Sequence, residues 1–192
     1  NTVLYYLESP TSWNFVLQDL EAVANLAKEK NITTICDNSF STPLFQRPID
    51  FGIDLSLQSA TKYIGGHSDT VAGVVAGKKK TIEKIFNSEY MIIGSGIQPF
   101  NAWLLIRGLR TLHARLNASA YNALEIIQFL KRHPLVEKII FPFDESFPQY
   151  ALAKKQMKNA GGLFSFIIKV QSEKEIELFC NSLKHILMAV SW

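Results

Sequence analysis

The chain has 192 residues, 47% hydrophobic and 19% charged, a balance that excludes a disordered protein and is enough to bury a sizeable core. Its formal net charge of +3 is too small to argue for nucleic acid or an anionic membrane as a partner. Cys36 and Cys180 stand apart in apolar contexts with no CxxC spacing, so they read as reduced, buried thiols and not as a disulfide framework.

In chain order, the continuous apolar run 3–7 reads as a central parallel strand, and 8–14 as the loop after it. Leu17, Leu20, Val23, Ala24 and Ala27 recur at helical spacing and predict an amphipathic helix over 16–30. The run 33–36 is a second buried strand that ends in Asp37-Asn38-Ser39. Strand, helix, strand is a βαβ unit, and it sets the α/β class. Residues 41–52, with Pro43, Pro48 and Gly52, read as loop with short helical turns. Strands are predicted at 53–57 and 71–76, and a helix over 80–90 that Gly94-Ser95-Gly96 ends. A long helical pattern follows over 99–132, with a bend expected at Gly108 and the polar patch around Asn117. Beyond His133 come a strand (136–141), a helix (150–159), a strand (163–170), a helix (172–183) and a strand (186–190). The changed order suggests an α+β unit, so the expected division is 1–132 and 133–192. No apolar run approaches the ~20 residues that cross a bilayer and no leader opens the chain, so cytoplasm is the expected location. Ends lying inside strand-like runs suggest a part of a longer polypeptide.

The chemistry concentrates between Ser59 and Asp69. Lys62 is expected at a strand end, and Gly65 and Gly66 turn the chain there. A lysine becomes a nucleophile when its amine loses its proton, which burial or neighbouring cations favour. If Ser59 and Thr61 lie on extended backbone, both hydroxyls share one face and suit a phosphate. Asp37, also at a strand's carboxyl end, could hold a pyridinium nitrogen. Pyridoxal phosphate would use all three functions. Each residue has a plainer use: Lys62 as a solvated surface lysine, Asp37 as a turn cap, and Ser59 and Thr61 as backbone-bonded hydroxyls. His67 and Asp69 read as a hydrogen-bonded turn and not as a metal site. Lys78-Lys79-Lys80 is a solvated helix start, and Gly94-Ser95-Gly96 lacks the βαβ setting of a nucleotide loop.

Asp37-Asn38-Ser39-Phe40 with Pro43, Ser59-Ala60-Thr61-Lys62-Tyr63-Ile64-Gly65-Gly66-His67-Ser68-Asp69, Glu8-Ser9-Pro10-Thr11 and the run from Trp103 to Leu112 resemble the pyridoxal-phosphate enzymes of cysteine and methionine metabolism. That family contains cystathionine gamma-synthase, cystathionine lyase, methionine gamma-lyase and the sulfhydrylases. The resemblance implies a fold type I, transferase-like α/β architecture: part of a large cofactor domain, then part of a small C-terminal domain. It makes Lys62 the cofactor-bearing, proton-shuttling lysine, Asp37 the ring-nitrogen partner, and Ser59 and Thr61 phosphate ligands. Ser191 matches a serine near that lysine and the substrate carboxylate. Ser12 stands where the family's Pro-Thr-Asn-Pro has the asparagine that meets the ring hydroxyl, and it could bond there directly or through water. The family's ring-stacking tyrosine, a neighbouring subunit's Tyr and Arg, and its C-terminal arginine are expected outside 1–192. The implied activity is elimination or replacement at the beta or gamma carbon of a sulfur-containing or O-acylated amino acid, in a homo-oligomer, dimer or tetramer. The alternatives are a truncated or degenerate non-catalytic homologue and, third, an aminotransferase of the same fold.

Overall fold

The computed structural model describes residues 1–189 and 191. In order, its elements are β1 (Leu4–Glu8), α1 (Leu20–Glu29), β2 (Thr33–Asp37), α2 (Thr42–Phe45), a 3-10 turn (Pro48–Phe51), β3 (Leu55–Ser59) and β4 (Gly73–Gly77). Then come α3 (Lys79–Ile85), a π-helical turn (Phe86–Tyr90), α4 (Met91–Ile93), α5 (Pro99–Lys131), β5 (Val136–Ile140), α6 (Tyr150–Gln156), β6 (Ser165–Ile168) and α7 (Glu173–Asn181). One sheet has the order β1-β2-β3-β4, with the first three strands parallel and β4 antiparallel to β3. An antiparallel pair, β5-β6, forms the second sheet. Because β1, β2 and β3 are parallel, Glu8, Asp37 and Ser59 emerge at the same edge, where α/β proteins place their ligands.

The βαβ unit forms as its pattern requires, but α1 starts at Leu20 and not at 16. Two side chains from α6 and the loop before it explain this. Gln149 accepts from the Leu17 N–H (2.7 Å) and donates to the Leu17 carbonyl (2.8 Å), so that peptide is committed outside any helix. Gln156 accepts from the Leu20 N–H (2.8 Å), and the Asp19 carboxylate caps the helix at the Ala22 N–H (3.1 Å). Leu20, Ala24 and Ala27 then form the buried face, and Leu20, Ala24, Cys36 and Ile53 join α1 to the sheet.

α5 runs without a break through Gly108 and Asn117, where a bend or break was expected. Its buried positions Leu105, Gly108, Leu112, Leu116, Ala120, Ala123 and Ile127 recur every three or four residues, so one stripe stays against the core from Leu105 to Ile127. Gly108 serves close approach instead: a Cβ there would lie 2.3 Å from the Ile64 carbonyl oxygen and 2.5 Å from that of Gly65. A core cluster joins Phe15, Leu17 and Phe40 to Ile127, Phe141 and Met157, so apolar packing continues across residue 133. The strand expected at 186–190 is not formed at 186–189, and Val190 lies outside the described residues. Exposed apolar side chains gather on Met91, Ile92, Ile93, Phe100, Trp103 and Ile106, at the start of α5 and just before it. Among the described residues, no helix is long and apolar enough to cross a membrane.

Candidate active site

A half-open cleft of about 720 Å³ lies at the carboxyl edge of β1, β2 and β3. Asp37, Ser59, Lys62, Ser12 and Ser191 all line it, together with Glu8. Thr61 does not.

Asp37 is the last residue of β2. Its Oδ1 accepts from the Ser39 N–H (2.9 Å), the Asx-type turn that Asp-Asn-Ser favours, and Oδ2 receives a long contact from the Tyr6 hydroxyl (3.5 Å). Burial, then the charge of Asp37, pushes the Tyr6 phenol above its ordinary value, so Tyr6 stays a neutral donor. Behind this edge, Asn38 donates to the Gln46 carbonyl (2.8 Å), while Gln46 Nε2 donates to Asn38 Oδ1 (3.1 Å) and the Ser9 carbonyl (2.6 Å). This buried network fixes the loop after β2 to the loop after β1. Cys36, one position earlier in β2, is fully buried among α1 side chains, and burial pushes its thiol up to about 12.

Ser59 closes β3, two residues later than the expected strand end. Its N–H donates to the Ser39 hydroxyl (2.6 Å), which ties the ends of β2 and β3 together. Ser39 was within the quoted motif but had no assigned role; its position after a strand-end aspartate was the available signal. Residues 60–65 then form a tight turn, held by Lys62 N–H to Ser59 carbonyl (3.1 Å), Gly65 N–H to Ala60 carbonyl (2.7 Å) and Gly66 N–H to Lys62 carbonyl (2.8 Å). The extended backbone assumed for Ser59 and Thr61 therefore ends at Ser59. Thr61 points its hydroxyl at Ala72, accepting from that residue's N–H (3.0 Å) and donating to its carbonyl (3.3 Å).

Lys62 is half-buried on this turn, and its amine donates to the Ser191 hydroxyl. The turn is gripped from two sides. The Tyr63 hydroxyl accepts from the Gly162 N–H (2.7 Å), and burial pushes that phenol above its ordinary value. Arg115, on α5, donates to the Tyr63 carbonyl (2.7 Å). His67 bonds the Gly65 carbonyl through Nδ1 (2.7 Å), the local-turn use expected for it. Ser12 donates to Glu8 (2.6 Å), so its hydroxyl sits at the cleft wall already engaged with a carboxylate.

The cleft thus presents an amine, a carboxylate and hydroxyls around one space of ligand size. An amine can condense with an aldehyde, a carboxylate can hold a protonated ring nitrogen, and hydroxyls can donate to a phosphate. These are the groups that the sequence's resemblance to pyridoxal-phosphate enzymes led one to expect together. A family model described as Cys/Met metabolism PLP-dependent enzyme matches residues 1–192, and the chain belongs to that family. It is 44% identical to an L-methionine gamma-lyase of Treponema denticola over the whole of this chain and 48% of that protein. The cystathionine gamma-lyase from Lactobacillus plantarum, solved with L-serine, superposes with a TM-score of 0.92 at 38% identity, over 99% of this chain and 49% of that one. Cystathionine gamma synthase from Xanthomonas oryzae pv. oryzae, solved with aminoacrylate and cysteine, also gives a TM-score of 0.92, at 37% identity over 98% and 48% of the two chains. The chain spans about half the length of the curated relatives it matches. The expected α/β, fold type I class is therefore correct.

Proposed function

We propose that the protein carrying this chain uses pyridoxal phosphate for elimination or replacement at the beta or gamma carbon of a sulfur-containing or O-acylated amino acid. The observation that carries this reading is the convergence of Lys62, Asp37 and Ser59 on one cleft at the carboxyl edge of three parallel strands.

The donor set fits the cofactor. Pyridoxal phosphate supplies an aldehyde that accepts amines and a ring that draws electrons from the bond to be broken. Lys62 would hold it covalently, Asp37 would keep the ring nitrogen protonated, and Ser59 would donate to the phosphate. Thr61 joins that grip only if its hydroxyl leaves Ala72. Ser12 reaches the ring hydroxyl only by turning from Glu8, and Ser191 orients the Lys62 amine near the substrate carboxylate. Once substrate has taken its place on the cofactor, Lys62 Nζ is the group placed to remove the proton from the substrate's alpha carbon and to return one further along the chain.

The division near 132/133 is retained in this reading: the four-stranded sheet before it belongs to the large domain, and the β5-β6 pair after it to the small one. The reading also includes a cytoplasmic homo-oligomer, with the exposed apolar side chains at the start of α5 covered by the remainder of the assembly. Reduction of the cofactor-saturated full-length protein with borohydride, followed by peptide mapping, tests it. A pyridoxyl adduct is expected on Lys62. An unmodified Lys62 in folded, saturated protein would overturn the assignment and favour the non-catalytic homologue.

A further inference from the structure

The turn that carries Lys62 packs on α5 through Ala60 and Ile64 against Leu105 and through Tyr63 against Leu112 and Leu116, and one polar side chain of the helix, Arg115, bonds its backbone. Its guanidinium donates to the carbonyls of Tyr63 (2.7 Å, Nη1) and Ile64 (3.4 Å, Nη2) on the turn. It also donates to the carbonyl of Gly108 (2.8 Å, Nη2) and the hydroxyl of Thr111 (3.0 Å, Nε) on its own helix. Gly108, Thr111 and Arg115 lie three and four residues apart, on one face of α5. Among the described residues no carboxylate pairs with Arg115, so its charge is directed at three carbonyls and one hydroxyl, and burial holds the guanidinium below its ordinary value. Two glycines make room for the arrangement. Gly108 lets the turn's backbone approach the helix. Gly66 has a left-handed φ of 74°, and a Cβ on it would stand 2.0 Å from Arg115 Nη1.

We propose that Arg115 is a positioning residue for Lys62: by fixing the two peptides that follow the lysine, it aims the Lys62 amine into the Asp37 cleft. This rests on the reading of Lys62 as the cofactor lysine. A planar fork with several donors suits the task, because it fixes the orientation of two successive carbonyls at once, which a single ammonium cannot do. Removing it leaves the apolar contacts of Ala60, Ile64 and Tyr63 with α5 in place but releases the carbonyls of Tyr63 and Ile64, so the peptides beside the lysine lose their fixed orientation. The amine then spends less time in the attacking geometry, and displacement of about 1 Å costs up to about 100-fold in rate.

The test uses the full-length protein and follows, without any substrate, the rate at which added pyridoxal phosphate becomes borohydride-trappable on Lys62. Arg115→Ala is expected to slow capture about 10- to 100-fold, with the far-UV circular dichroism of the parent. Guanidinium chloride, well below unfolding concentrations and against a sodium chloride control, is expected to restore the rate in Arg115→Ala but not in Arg115→Lys, whose side chain fills the space with one charge and no fork. Arg115→Lys folds if Arg115→Ala does not, and is expected to be slow and unrescued. Capture in both variants at the parent's rate would overturn the inference, as would a slow Arg115→Ala that sodium chloride restores equally. Absence of a Lys62 adduct in the parent itself would instead defeat the functional reading, so the two failures are distinct.

Discussion

Replacing Gly108 by alanine tests whether the lysine turn is truly seated on α5, because the sign of the effect differs between the two cases. An unopposed glycine inside a helix is unfavourable by about 1 kcal/mol relative to alanine, so a substitution into open space would stabilise. Here the new Cβ would meet the Ile64 oxygen at 2.3 Å and the Gly65 oxygen at 2.5 Å. Carbon and carbonyl oxygen rest comfortably at about 3.3 Å, so the turn must retreat by about 1 Å. Overpacking of that kind costs about 1–3 kcal/mol, and loosening of an Arg115 bond adds to it. Against the gain in helix propensity, the net expectation is a loss of about 1 kcal/mol. Urea unfolding followed by far-UV circular dichroism reads this as a lower midpoint. A midpoint equal to the parent's, or higher, would refute the close packing of turn and helix described above.

Two further outcomes are expected. Burial works to raise the carboxyl of Asp144, but hydrogen bonds from Lys131 and from the Ser146 hydroxyl (2.6 Å) and N–H (3.0 Å) outweigh it and leave the group below its ordinary value. A depressed carboxyl stabilises above its unfolded value, near pH ~4, and loses that contribution as pH falls through the folded value. Asp144→Asn should therefore cost about 2 kcal/mol near neutral pH and much less in strong acid; an equal cost at both pH values would contradict the linkage. Ser59→Ala should weaken pyridoxal phosphate binding about tenfold through loss of one charge-assisted hydrogen bond. Absorbance titration measures it, and unchanged affinity would remove Ser59 from the phosphate grip.

Local patterns revealed the βαβ start, because apolar runs and a 3.6-residue repeat each depend on neighbours in sequence. The start of α1 was illegible, since Gln149 and Gln156 that claim the Leu17 and Leu20 peptides arrive from 132 and 136 positions away. The close-approach role of Gly108 was illegible, since its cause is the backbone of Ile64 and Gly65 pressing on the helix. That Lys62, Asp37 and Ser59 would meet at one cleft was legible because each stands at or just beyond a strand end. The conformation of Thr61 was not, because the shared face of Ser59 and Thr61 assumed extended backbone, whereas the Lys62 N–H bonds the Ser59 carbonyl and turns the chain between them. Arg115 was overlooked within a polar patch, although its spacing from Gly108 and Thr111 was visible and would have placed all three on one side of the helix.

Cys36 and Asp37 are neighbours on β2, and in a strand neighbours face opposite ways. The carboxylate goes to the cleft, while the thiol goes beneath α1 with no exposed surface. Burial pushes the thiol up to about 12, so it stays protonated near neutral pH. An aldehyde cofactor attracts any good nucleophile, and a thiolate beside it would compete with the lysine amine for the same carbon. Strand parity keeps the Cys36 sulfur out of the cleft lining. A slip of β2 by a single residue would exchange the two side chains, offering sulfur to the cleft and a charge to the core, so the register of this strand is also a choice of which nucleophile the cofactor can meet.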